Sequence, residues 1–289
     1  MSMTNKKLSL VIVNYNSTVE LNNLIHSLHF IKKIIDEIIV IDNNSKNFDK
    51  FLNKNNKIKL IKNKQNLGFS KAINQGIKIS RNEIILLINP DCILIDSSPI
   101  KTFLKIRKHK KIGIIGGKLN YPYSTKKHFT ATTKPNFFTG LFEFTNLKKI
   151  FQNNYFSNIF WIEKKQKINK PIKVFSLCGA YMFLRKHGQN YVNYFDEEYF
   201  LYLEDLDFGY VIENNNQLAI FDPNSQINHI GGCSNDSIYK TDLKHWYKSR
   251  KIFFLRNLPK YQGIILYIIY SAEEFILNIF HKITNTPNA

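Results

Sequence analysis

Residues 83–92 read EIILLINPDC, an apolar run that ends in a polar turn. A short continuous run of isoleucine and leucine is typical of a strand that is buried on both faces of a parallel sheet. The run breaks at Asn89-Pro90, where proline restricts the backbone just before Asp91. The stretch therefore predicts a buried strand with a carboxylate at its carboxyl end.

Strand-like and helix-like patterns alternate on both sides of this stretch. The four residues STVE (17–20) also fit a capping box, in which Ser17 and Glu20 close the start of a helix. Regular alternation of strands and helices predicts an α/β fold with a mainly parallel central sheet flanked by helices. The predicted strands are 8–13, 37–42, 57–62, 83–88 and 111–119, and the predicted helices among them are 17–28 and 70–80.

The pattern is weaker in the second half of the chain. Periodicity fades between about 120 and 171, where lysine, asparagine, phenylalanine and tyrosine are frequent, and we expect loops with short elements there. Residues 172–186 predict a strand pair or one bent strand. The other predicted elements are strands at 217–222 and 225–232 and helices at 204–214, 242–257 and 263–281.

Composition limits the class of protein. The chain of 289 residues has a formal net charge of +19, which implies a surface attracted to nucleic acid, anionic lipid or a phosphorylated substrate. Cys92, Cys178 and Cys233 are far apart, which argues against a disulfide framework and a zinc site and fits a reducing cytosol. No apolar run approaches the length that spans a bilayer. We therefore expect a cytoplasmic protein that can meet the inner face of the cell membrane peripherally.

Polar residues follow three of the predicted strands, as NYN (14–16), DNNS (42–45) and NPD (89–91). Each alone is an ordinary turn, because these residue types favour turns. In an open α/β sheet, however, ligands bind outside the carboxyl ends of the strands, so the three together predict a binding site. The glycine-rich phosphate loops of dehydrogenases and P-loop enzymes do not occur in the sequence.

A second group of acids lies far along the chain, in FLYLEDLDFGYVI (200–212). Glu204, Asp205 and Asp207 open a predicted helix, where the helix dipole favours acids. The alternative is that one of them is a general base held at the open edge of the sheet. The acids alone do not decide between these two interpretations.

Seven segments occur in a set order: VIVNYN, VIDNNS, NLGFSKAINQGI, INPDC, CGAYMFLRK, FLYLEDLDFGYVI and NHIGGCS. Together they resemble the family 2 glycosyltransferases of the GT-A fold, and among these the bacterial rhamnosyltransferase-like members that build surface polysaccharides. The resemblance covers roughly residues 8–235. It implies a GT-A domain at 1–235, with a Rossmann-like nucleotide-sugar-binding half at 1–117 and an acceptor half at 118–235, and a C-terminal helical extension at 236–289.

The resemblance also implies the activity and the donor-binding residues. Such enzymes transfer a sugar from a nucleoside diphosphate to an acceptor hydroxyl, usually with Mn²⁺ or Mg²⁺, and rhamnose is the candidate sugar here. Asp42 would accept a hydrogen bond from the imide N–H of uracil or thymine, so the donor would be a dTDP- or UDP-sugar. The donor-binding residues implied by the match are Asn14, Asn16, Asp42, Asn43, Gly68, Lys71, Asn74, Asn89 and Asp91.

The metal and catalytic residues follow from the same match. The family usually carries D-x-D after the fourth strand, and this chain has Asn89-Pro90-Asp91. Asp91 would bind the metal, and Asn89 would contact the donor sugar or ribose. His229 would complete the metal shell or contact the diphosphate. Hard oxygen ligands fit Mn²⁺ or Mg²⁺. Asp205 would be the catalytic base of an inverting transfer, and Glu204 would orient the acceptor.

The resemblance implies partners as well. The acceptor would be a glycan or a sugar on a polyprenyl diphosphate, and Gly179-Ala180 would lie beside a sugar. Trp246, Lys248 and Arg250 follow a stretch, 233–241, that could close as a lid over the diphosphate. The apolar segment 263–280 could pack on the domain, on a second subunit in a homodimer, or on an anionic membrane.

Three alternatives stay open at this point. A sugar nucleotidyltransferase would have a similar fold, but its glycine-rich loop with a basic tip is absent from VIVNYNST (11–18). A basic nucleic-acid-binding protein is suggested by charge alone, and its usual motifs are not evident, so we expect no nucleic-acid partner. Asn89 also makes an inactive transferase conceivable.

Overall fold

The computed structural model describes residues 7–46, 48, 57–124, 129–165, 167–186, 194–230 and 236–284. For residues 165, 236–242 and 280–284 the description is limited to the backbone. The described residues form a nine-stranded sheet covered by helices, a two-stranded sheet, and a separate helical layer that packs beside them.

The eleven described strands follow the predicted positions closely in the first half of the chain. They are β1 (Leu8–Asn14), β2 (Ile35–Asp42), β3 (Ile58–Lys62), β4 (Ile84–Ile88), β5 (Cys92–Leu94), β6 (Ile112–Asn120), β7 (Ala131–Thr132), β8 (Ile172–Val174), β9 (Ser176–Leu177), β10 (Tyr181–Arg185) and β11 (Leu218–His229). A 3-10 turn follows the first helix at Leu28–Ile31.

Ten α-helices lie within the described residues. They are α1 (Thr18–Ser27), α2 (Phe69–Ile79), α3 (Ser98–Lys108), α4 (Phe137–Glu143), α5 (Leu147–Ile150), α6 (Tyr155–Phe160), α7 (Ile162–Lys165), α8 (Glu204–Asn214), α9 (Asp236–Asn257) and α10 (Lys260–Thr284). Helix α8 has the bounds that the sequence predicts. Helix α9 begins earlier than predicted, and α10 extends beyond the predicted helix at both ends.

The large sheet has the strand order β3-β2-β1-β4-β10-β6-β11-β5, with β8 also paired to β11. The first four strands are parallel, and β10 lies antiparallel between β4 and β6. Since β11 is parallel to β6, six of the nine strands point the same way. The prediction of a mainly parallel sheet flanked by helices is confirmed.

Strand register brings the polar turns to one edge of this sheet. Asn14 pairs with Asp42, and Val11 pairs with Leu87, so the end of β1 is level with the turn that follows β4. Strand β10 enters at the same edge because Tyr181 pairs with Ile88. Strand β11 leaves beside this turn, where His229 pairs with Cys92.

Two apolar layers hold the sheet between the helices. Leu8, Leu10 and Ile12 face the layer that contains α1 and α3, and Val11 faces the layer that contains α2 and α8. All four side chains are fully buried. Burying an aliphatic side chain of this size contributes about 1.5–3 kcal/mol, so the central strands form a rigid base for the turns at their ends.

Two local predictions differ from the structure. Ser17 forms no capping box, because its Oγ donates to Tyr15 O at 3.3 Å instead of capping α1. The predicted strands 217–222 and 225–232 are one strand, β11, with a register shift between Asp222 and Gln226. The buried Asp222 pairs with Lys105 at 2.5 Å at this irregularity, which keeps the strand continuous.

The segment between about 120 and 171 contains short helices, as expected. Asn136 and Asn154 cap α4 and α6, because their side chains accept the backbone N–H of Thr139 and Ser157. These helices pack with α9 and α10 around a third apolar cluster, which we call the aromatic layer; its buried members include Phe144, Phe160, Phe253, Phe254 and Tyr270.

Within the described ranges, none of the helices combines the length and the apolar character that crossing a bilayer requires.

Candidate active site

The first group of predicted site residues lies where β1 and β2 end side by side. Asn14 Nδ2 donates to Asp42 Oδ1 at 3.0 Å, and Asp42 Oδ2 accepts the backbone N–H of Ser45 at 3.3 Å. Both Asn14 and Asp42 are nearly fully buried. Asn14 Oδ1 has no hydrogen-bond partner among the described residues, and a buried acceptor of this kind fits an N–H donor from a ligand.

Asn16 belongs to the same turn. Its backbone N–H donates to Ser45 Oγ at 2.9 Å, and its Oδ1 accepts the N–H of Lys46 at 2.9 Å. Its φ of +55° lies in the left-handed region, which asparagine adopts more readily than most residues. Asn16 therefore shapes the turn at the carboxyl end of β1.

Asn43 and Gly68 hold the next loop rather than an open surface. A Cβ at Gly68, where φ is +84°, would lie 2.6 Å from Phe200 O. The absence of a side chain at Gly68 therefore allows the backbone of Phe200 to approach closely. The Asn43 side chain is fully engaged within the 63–68 loop. Its four partners are Asn66 Oδ1, Gly68 O, Asn63 Nδ2 and Leu67 N.

Helix α2 carries the next two predicted residues. Lys71 is exposed in its first turn. Asn74 is buried, and its amide binds the backbone of Phe195 on both sides, with Nδ2 donating to O at 2.8 Å and Oδ1 accepting N–H at 3.1 Å. The side chain of Asn74 therefore positions the segment that leads towards α8, while Lys71 keeps an ammonium group at the surface.

The NPD turn after β4 meets the end of β11. His229 Nε2 lies 3.1 Å from Asp91 Oδ1, and the backbone N–H of Ile230 donates to Asp91 O at 2.9 Å. The Asp91 and His229 side chains are 19% and 13% exposed. The buried Nδ1 of His229 has no hydrogen-bond partner among the described residues. Asp91 and His229 thus present one oxygen and one nitrogen to the same point.

The chemistry of this pair fits a divalent cation. The Cys92 sulfur lies in the same cluster, within 4.8 Å, but Cys92 is fully buried and its thiol donates to Ala180 O at 3.4 Å. Burial raises the pKa of the Cys92 thiol well above its ordinary value. Without a thiolate, the ligands left are a carboxylate and an imidazole. This pair does not make a sulfur-rich zinc site; the carboxylate fits Mn²⁺ or Mg²⁺, and the imidazole fits Mn²⁺ better than Mg²⁺.

Residues 178–180 join this turn to the second group of acids. Gly179 N–H donates to Asp205 Oδ2 at 2.9 Å. One residue further on, Ala180 O accepts the N–H of Asn89 at 3.0 Å. A single short segment of backbone therefore contacts both Asp205 and the turn that carries Asp91.

Electrostatics supports the same proximity. Burial raises the pKa of the Cys178 thiol to about 12, and the charges of Asp205, Glu204 and Asp91 each add to that rise. One thiol thus experiences carboxylates from two distant parts of the sequence. The structure brings Asp91 and Asp205 to the same end of the sheet.

The first turn of α8 follows an unusual backbone. Tyr202 and Leu203 have φ of +72° and +66°. Left-handed conformations in residues other than glycine typically cost about 1–3 kcal/mol each, and such residues cluster at functional sites. They end the preceding loop sharply and place Glu204 and Asp205 at the start of the helix.

The three acids of α8 differ in burial and in their hydrogen-bond partners. Asp207 is buried and accepts from Tyr199 Oη at 3.1 Å and Asn257 Nδ2 at 2.8 Å, so it links α8 to α9. Glu204 is also buried, and its Oε2 has no partner among the described residues. Asp205 is the acid that remains partly accessible, with its two oxygens held by backbone N–H groups.

Burial changes the proton affinity of this pair. It raises the pKa of Glu204 to about 8, and the neighbouring Asp205 charge adds to the rise. Burial also raises the pKa of Asp205, against the opposing effect of the N–H groups of Gly179 and Leu206, which stabilise the ionised form. A raised pKa makes the Asp205 carboxylate a stronger proton acceptor, which is the property that a general base needs.

Asp205 opens into a cavity of about 170 Å³, which we call the inner cavity. Phe144 and Trp246 stack in its wall, with ring centroids 5.6 Å apart and an interplanar angle of 12°. Glu204 is not among its lining residues. Its aromatic wall consists of Phe129, Phe144, Phe160, Trp161 and Trp246.

Most of this wall is absent from the sequence-based prediction. Only Trp246 was singled out, because segment 120–171 shows no clear period. Two local signals were available, namely the aromatic density of that segment and the capping asparagines Asn136 and Asn154, which mark the helices that carry the wall.

The predicted lid, 233–241, lies partly outside the described residues. Residues 231–235, with Gly231-Gly232 and Cys233, lie outside the described residues, and the chain from Asp236 onwards is the helix α9. Arg250 is 1% exposed and pairs with Glu273 at 2.5 Å, so it cannot close over a diphosphate. Lys248 is exposed on the same helix.

Comparison with known proteins then decides the family. The sequence model of Glycosyl transferase family 2 matches residues 9–187, more than half of the chain. The chain belongs to this family. Membership favours a glycosyltransferase over the nucleotidyltransferase and nucleic-acid-binding alternatives.

Individual relatives are distant. The chain is 22% identical over 285 residues to the low-salt glycan biosynthesis hexosyltransferase Agl10 of Haloferax volcanii, covering 95% of this chain and 85% of that protein. The crystal structure of S. aureus TarS 1-349 matches with a TM-score of 0.52 and 17% identity, covering 93% and 72% of the two chains.

A third match is the mannosyltransferase PcManGT from Pyrobaculum calidifontis, in complex with GDP-Man and Mn²⁺. Its TM-score is 0.56 at 10% identity, covering 94% of this chain and 74% of that one. At such identities the structural matches establish the fold alone, and the fold is that of the GT-A glycosyltransferases.

Proposed function

We propose that this glycosyltransferase moves a hexosyl group from a nucleoside diphosphate sugar to an acceptor hydroxyl with inversion at the anomeric carbon. The observation that carries the proposal is the contact of Gly179-Ala180 with both Asp205 and the Asn89–Asp91 turn. This contact supports a single site, because the same short segment of backbone touches the proposed base and the turn that would bind the donor.

The donor nucleoside binds at the ends of β1 and β2. Asp42 accepts the imide N–H of uracil or thymine, and Asn14 and Asn16 lie against the nucleotide. Support comes from the buried Asn14–Asp42 pair and from the unpartnered Asn14 Oδ1. The engaged amides of Asn43 and Asn74 suit a positioning role, in which they hold the loops around the nucleotide.

The diphosphate lies between Lys71 and the NPD turn. Asp91 and His229 would hold a divalent cation, and Asn89 contacts the ribose or donor sugar. When bound, Mn²⁺ or Mg²⁺ neutralises charge on the departing diphosphate. A single carboxylate in the NPD turn leaves room for the two phosphates among the ligands.

Asp205 acts as the general base. As the acceptor oxygen forms its bond to the anomeric carbon, the bond from that carbon to the diphosphate oxygen breaks, and the diphosphate leaves with the electron pair. The acceptor proton passes to the Asp205 carboxylate. The N–H groups of Gly179 and Leu206 fix both carboxylate oxygens, so the base meets the acceptor in one orientation.

Glu204 affects the charge beside Asp205 and does not contact the acceptor directly. Its raised pKa keeps it protonated at neutral pH, so a second negative charge does not sit beside the base. The acceptor sugar occupies the inner cavity, where aromatic faces and one carboxylate suit a ring with apolar C–H faces and polar edges.

The assignment of roles agrees with the domain division that the sequence resemblance implies, with residues 1–117 as the donor half, 118–235 as the acceptor half and 236–289 as a helical extension. That extension contributes Trp246 to the wall of the inner cavity. Rhamnose as the donor sugar and a bacterial surface polysaccharide as the product remain predictions from the sequence resemblance.

We also propose that α10 contacts an anionic membrane from the cytoplasmic side. Its outer face carries exposed apolar side chains at helical spacing, including Ile264, Ile268, Phe275 and Ile279, while Tyr270 faces inward. A net charge of +19 favours anionic lipid and opposes close pairing of two chains, so a membrane is favoured over a homodimer as the occupant. Such contact would give access to a polyprenyl-diphosphate-linked acceptor.

Vesicle co-sedimentation tests this contact. The wild type should sediment with anionic vesicles at low salt and less with neutral ones, and Ile268→Asp should reduce sedimentation severalfold. Equal sedimentation of both proteins, or a stable dimer on size-exclusion chromatography that Ile268→Asp dissociates, would reject the membrane as the occupant of α10.

Calorimetry with nucleotides and nucleotide sugars tests the main proposal. UDP or dTDP should bind with Mn²⁺ at least ten times more tightly than without it, and GDP and ADP should bind weakly. Proton NMR of the product should show inverted anomeric configuration. Absence of binding by every nucleotide sugar in the presence of Mn²⁺ would contradict the proposal and would fit an inactive transferase.

A further inference from the structure

A second cavity lies beside the inner cavity, on the far side of its aromatic wall. It has a volume of about 360 Å³ and is bounded by α5, α9 and α10. We call it the outer cavity. Phe144, Trp161 and Trp246 line both cavities, so the stacked ring pair of Phe144 and Trp246 separates two adjacent spaces.

Four of the five charged side chains that line the outer cavity are paired with one another, and the fifth, Lys149, is exposed. Lys148 pairs with Glu143, and Arg250 pairs with Glu273 at 2.5 Å. An anion that entered would meet two carboxylates whose partner cations are engaged. This arrangement disfavours a phosphate group and favours an uncharged polar ligand.

Two residues that line the outer cavity each carry a buried polar atom without a hydrogen-bond partner among the described residues, one an acceptor and one a donor. Glu143 Oε2 and Arg250 Nε are buried and make no hydrogen bond with described residues. Hydroxyl groups can serve both, because a hydroxyl donates one hydrogen bond and accepts two. The aromatic rings of Trp246 and Tyr247 add apolar surface in the same space. Hydroxyls with an apolar face are the chemistry of a sugar ring.

We infer that the outer cavity binds a second glycosyl unit of the acceptor, the one next to the unit whose hydroxyl is glycosylated at Asp205. The inference rests on the proposed function and extends it from a single sugar to an acceptor of at least two. The two cavities share Phe144, Trp161 and Trp246, so an acceptor that extends around the edge of the Phe144–Trp246 pair would place neighbouring rings in the two spaces.

The two tryptophans make this binding directly measurable. The chain contains two tryptophans in total, Trp161 and Trp246, and both line both cavities. Intrinsic fluorescence therefore reports on these cavities alone. We would titrate the protein with methyl hexosides, with disaccharides built from the same hexoses, and with inorganic pyrophosphate as an anion control.

The wild type should bind at least one disaccharide about tenfold more tightly than the matching methyl hexoside, as expected for added hydrogen bonds to charged groups. Glu143→Gln should remove most of that difference, since it replaces the unpartnered Oε2 with a donor. The amide oxygen can still accept the Trp161 Nε1 hydrogen bond, which is 2.7 Å long in the structure. Methyl hexoside binding should be unchanged.

Two further variants keep the test decisive. Glu213→Gln is the matched control, because it makes the same substitution and also loses a lysine partner, Lys134 at 2.5 Å, away from both cavities; it should behave as the wild type. Asn146→Ala removes a side chain from the outer cavity without removing a helix cap, since that side chain makes no capping bond, and it should weaken disaccharide binding alone.

Three outcomes would overturn the inference. They are equal affinity for one-ring and two-ring sugars, no emission change with any disaccharide, or an emission change with pyrophosphate alone, which would mark an anion site. Nucleotide binding is measured without an acceptor. A protein that binds nucleotide sugar with Mn²⁺ but does not prefer two rings would therefore retain the proposed function and lose this inference.

Discussion

The turns after β1, β2 and β4, which we call the donor edge because we propose that the donor binds there, and the aromatic layer are built in contrasting ways. At the ends of β1, β2 and β4, short polar turns are held by hydrogen bonds between near neighbours in the sheet, such as Asn14 to Asp42. In the aromatic layer, short helices far apart in the sequence are held by ring packing, such as Phe144 on Trp246. The contrast teaches that the proposed donor site depends on strand register, whereas the proposed acceptor site depends on tertiary packing.

Asp205 lies on the acceptor side of this division, so its loss should separate binding from transfer. Asp205→Asn should lower kcat by about 10²–10⁴-fold, because the amide cannot take the acceptor proton. Nucleotide affinity should stay within about twofold. Single-turnover transfer assays and calorimetry on the same preparation check this. Unchanged kcat would assign the base to another residue.

Asp91 lies on the donor side, so its loss should reduce both binding and rate. Asp91→Ala should lower kcat/KM by about 10²–10³-fold and abolish the Mn²⁺ dependence of nucleotide binding, since the cation contributes several kcal/mol of charge stabilisation. His229→Ala should have a smaller effect in the same direction. The measurement is transfer rate against Mn²⁺ concentration. A variant with wild-type metal dependence would remove Asp91 from the site.

Asp207 sharpens the comparison because it belongs to the same helix turn and makes structural contacts. Asp207→Ala should destabilise the fold by about 1–3 kcal/mol, since Tyr199 Oη and Asn257 Nδ2 lose a buried acceptor. Its kcat should remain near that of the wild type below the melting transition. Urea denaturation with activity assays tests this. Full stability with lost activity would exchange the roles of Asp207 and Asp205.

Glu204 gives a pH dependence of stability whose sign follows from its burial. Burial raises its pKa from 4.5 to about 8 in the folded protein. Its protonated form thus contributes stability that is fully present below pH 4.5 and is lost as the pH rises through about 8. The loss is about 1.4 kcal/mol for each pH unit in this window.

Glu204→Gln should abolish that loss, because the amide does not ionise. The variant should therefore gain stability relative to the wild type between pH 5.5 and pH 8. Denaturation curves at the two pH values check this, with Glu213→Gln as an exposed control. A gain at pH 5.5 that vanishes at pH 8 would reverse the sign and refute the burial of Glu204.

The sequence predicted the donor edge well because its signals are local. A run such as EIILLI specifies a buried strand, and a strand that ends in Asn or Asp places that residue at the sheet edge. The capping box failed for a local reason too, since Ser17 Oγ bonds to Tyr15 O instead of the helix. A sequence pattern does not distinguish these two hydrogen bonds.

The acceptor side was predicted poorly because its contacts span long separations. The hydrogen bond from Gly179 to Asp205 depends on β10 entering antiparallel between β4 and β6, which no local period encodes. Arg250, which follows the predicted lid, is likewise buried, and it pairs with Glu273 on another helix. Family resemblance named Asp205, but the walls of its cavity required the folded chain.

A crystal structure of the protein with Mn²⁺ and UDP would test most directly whether residues from both halves form one site. Electron density for Mn²⁺ at Asp91 and His229, with the diphosphate facing an accessible Asp205 carboxylate, is the result we predict. Density for the ion and nucleotide elsewhere, or a protein wall between the diphosphate and Asp205, would contradict it.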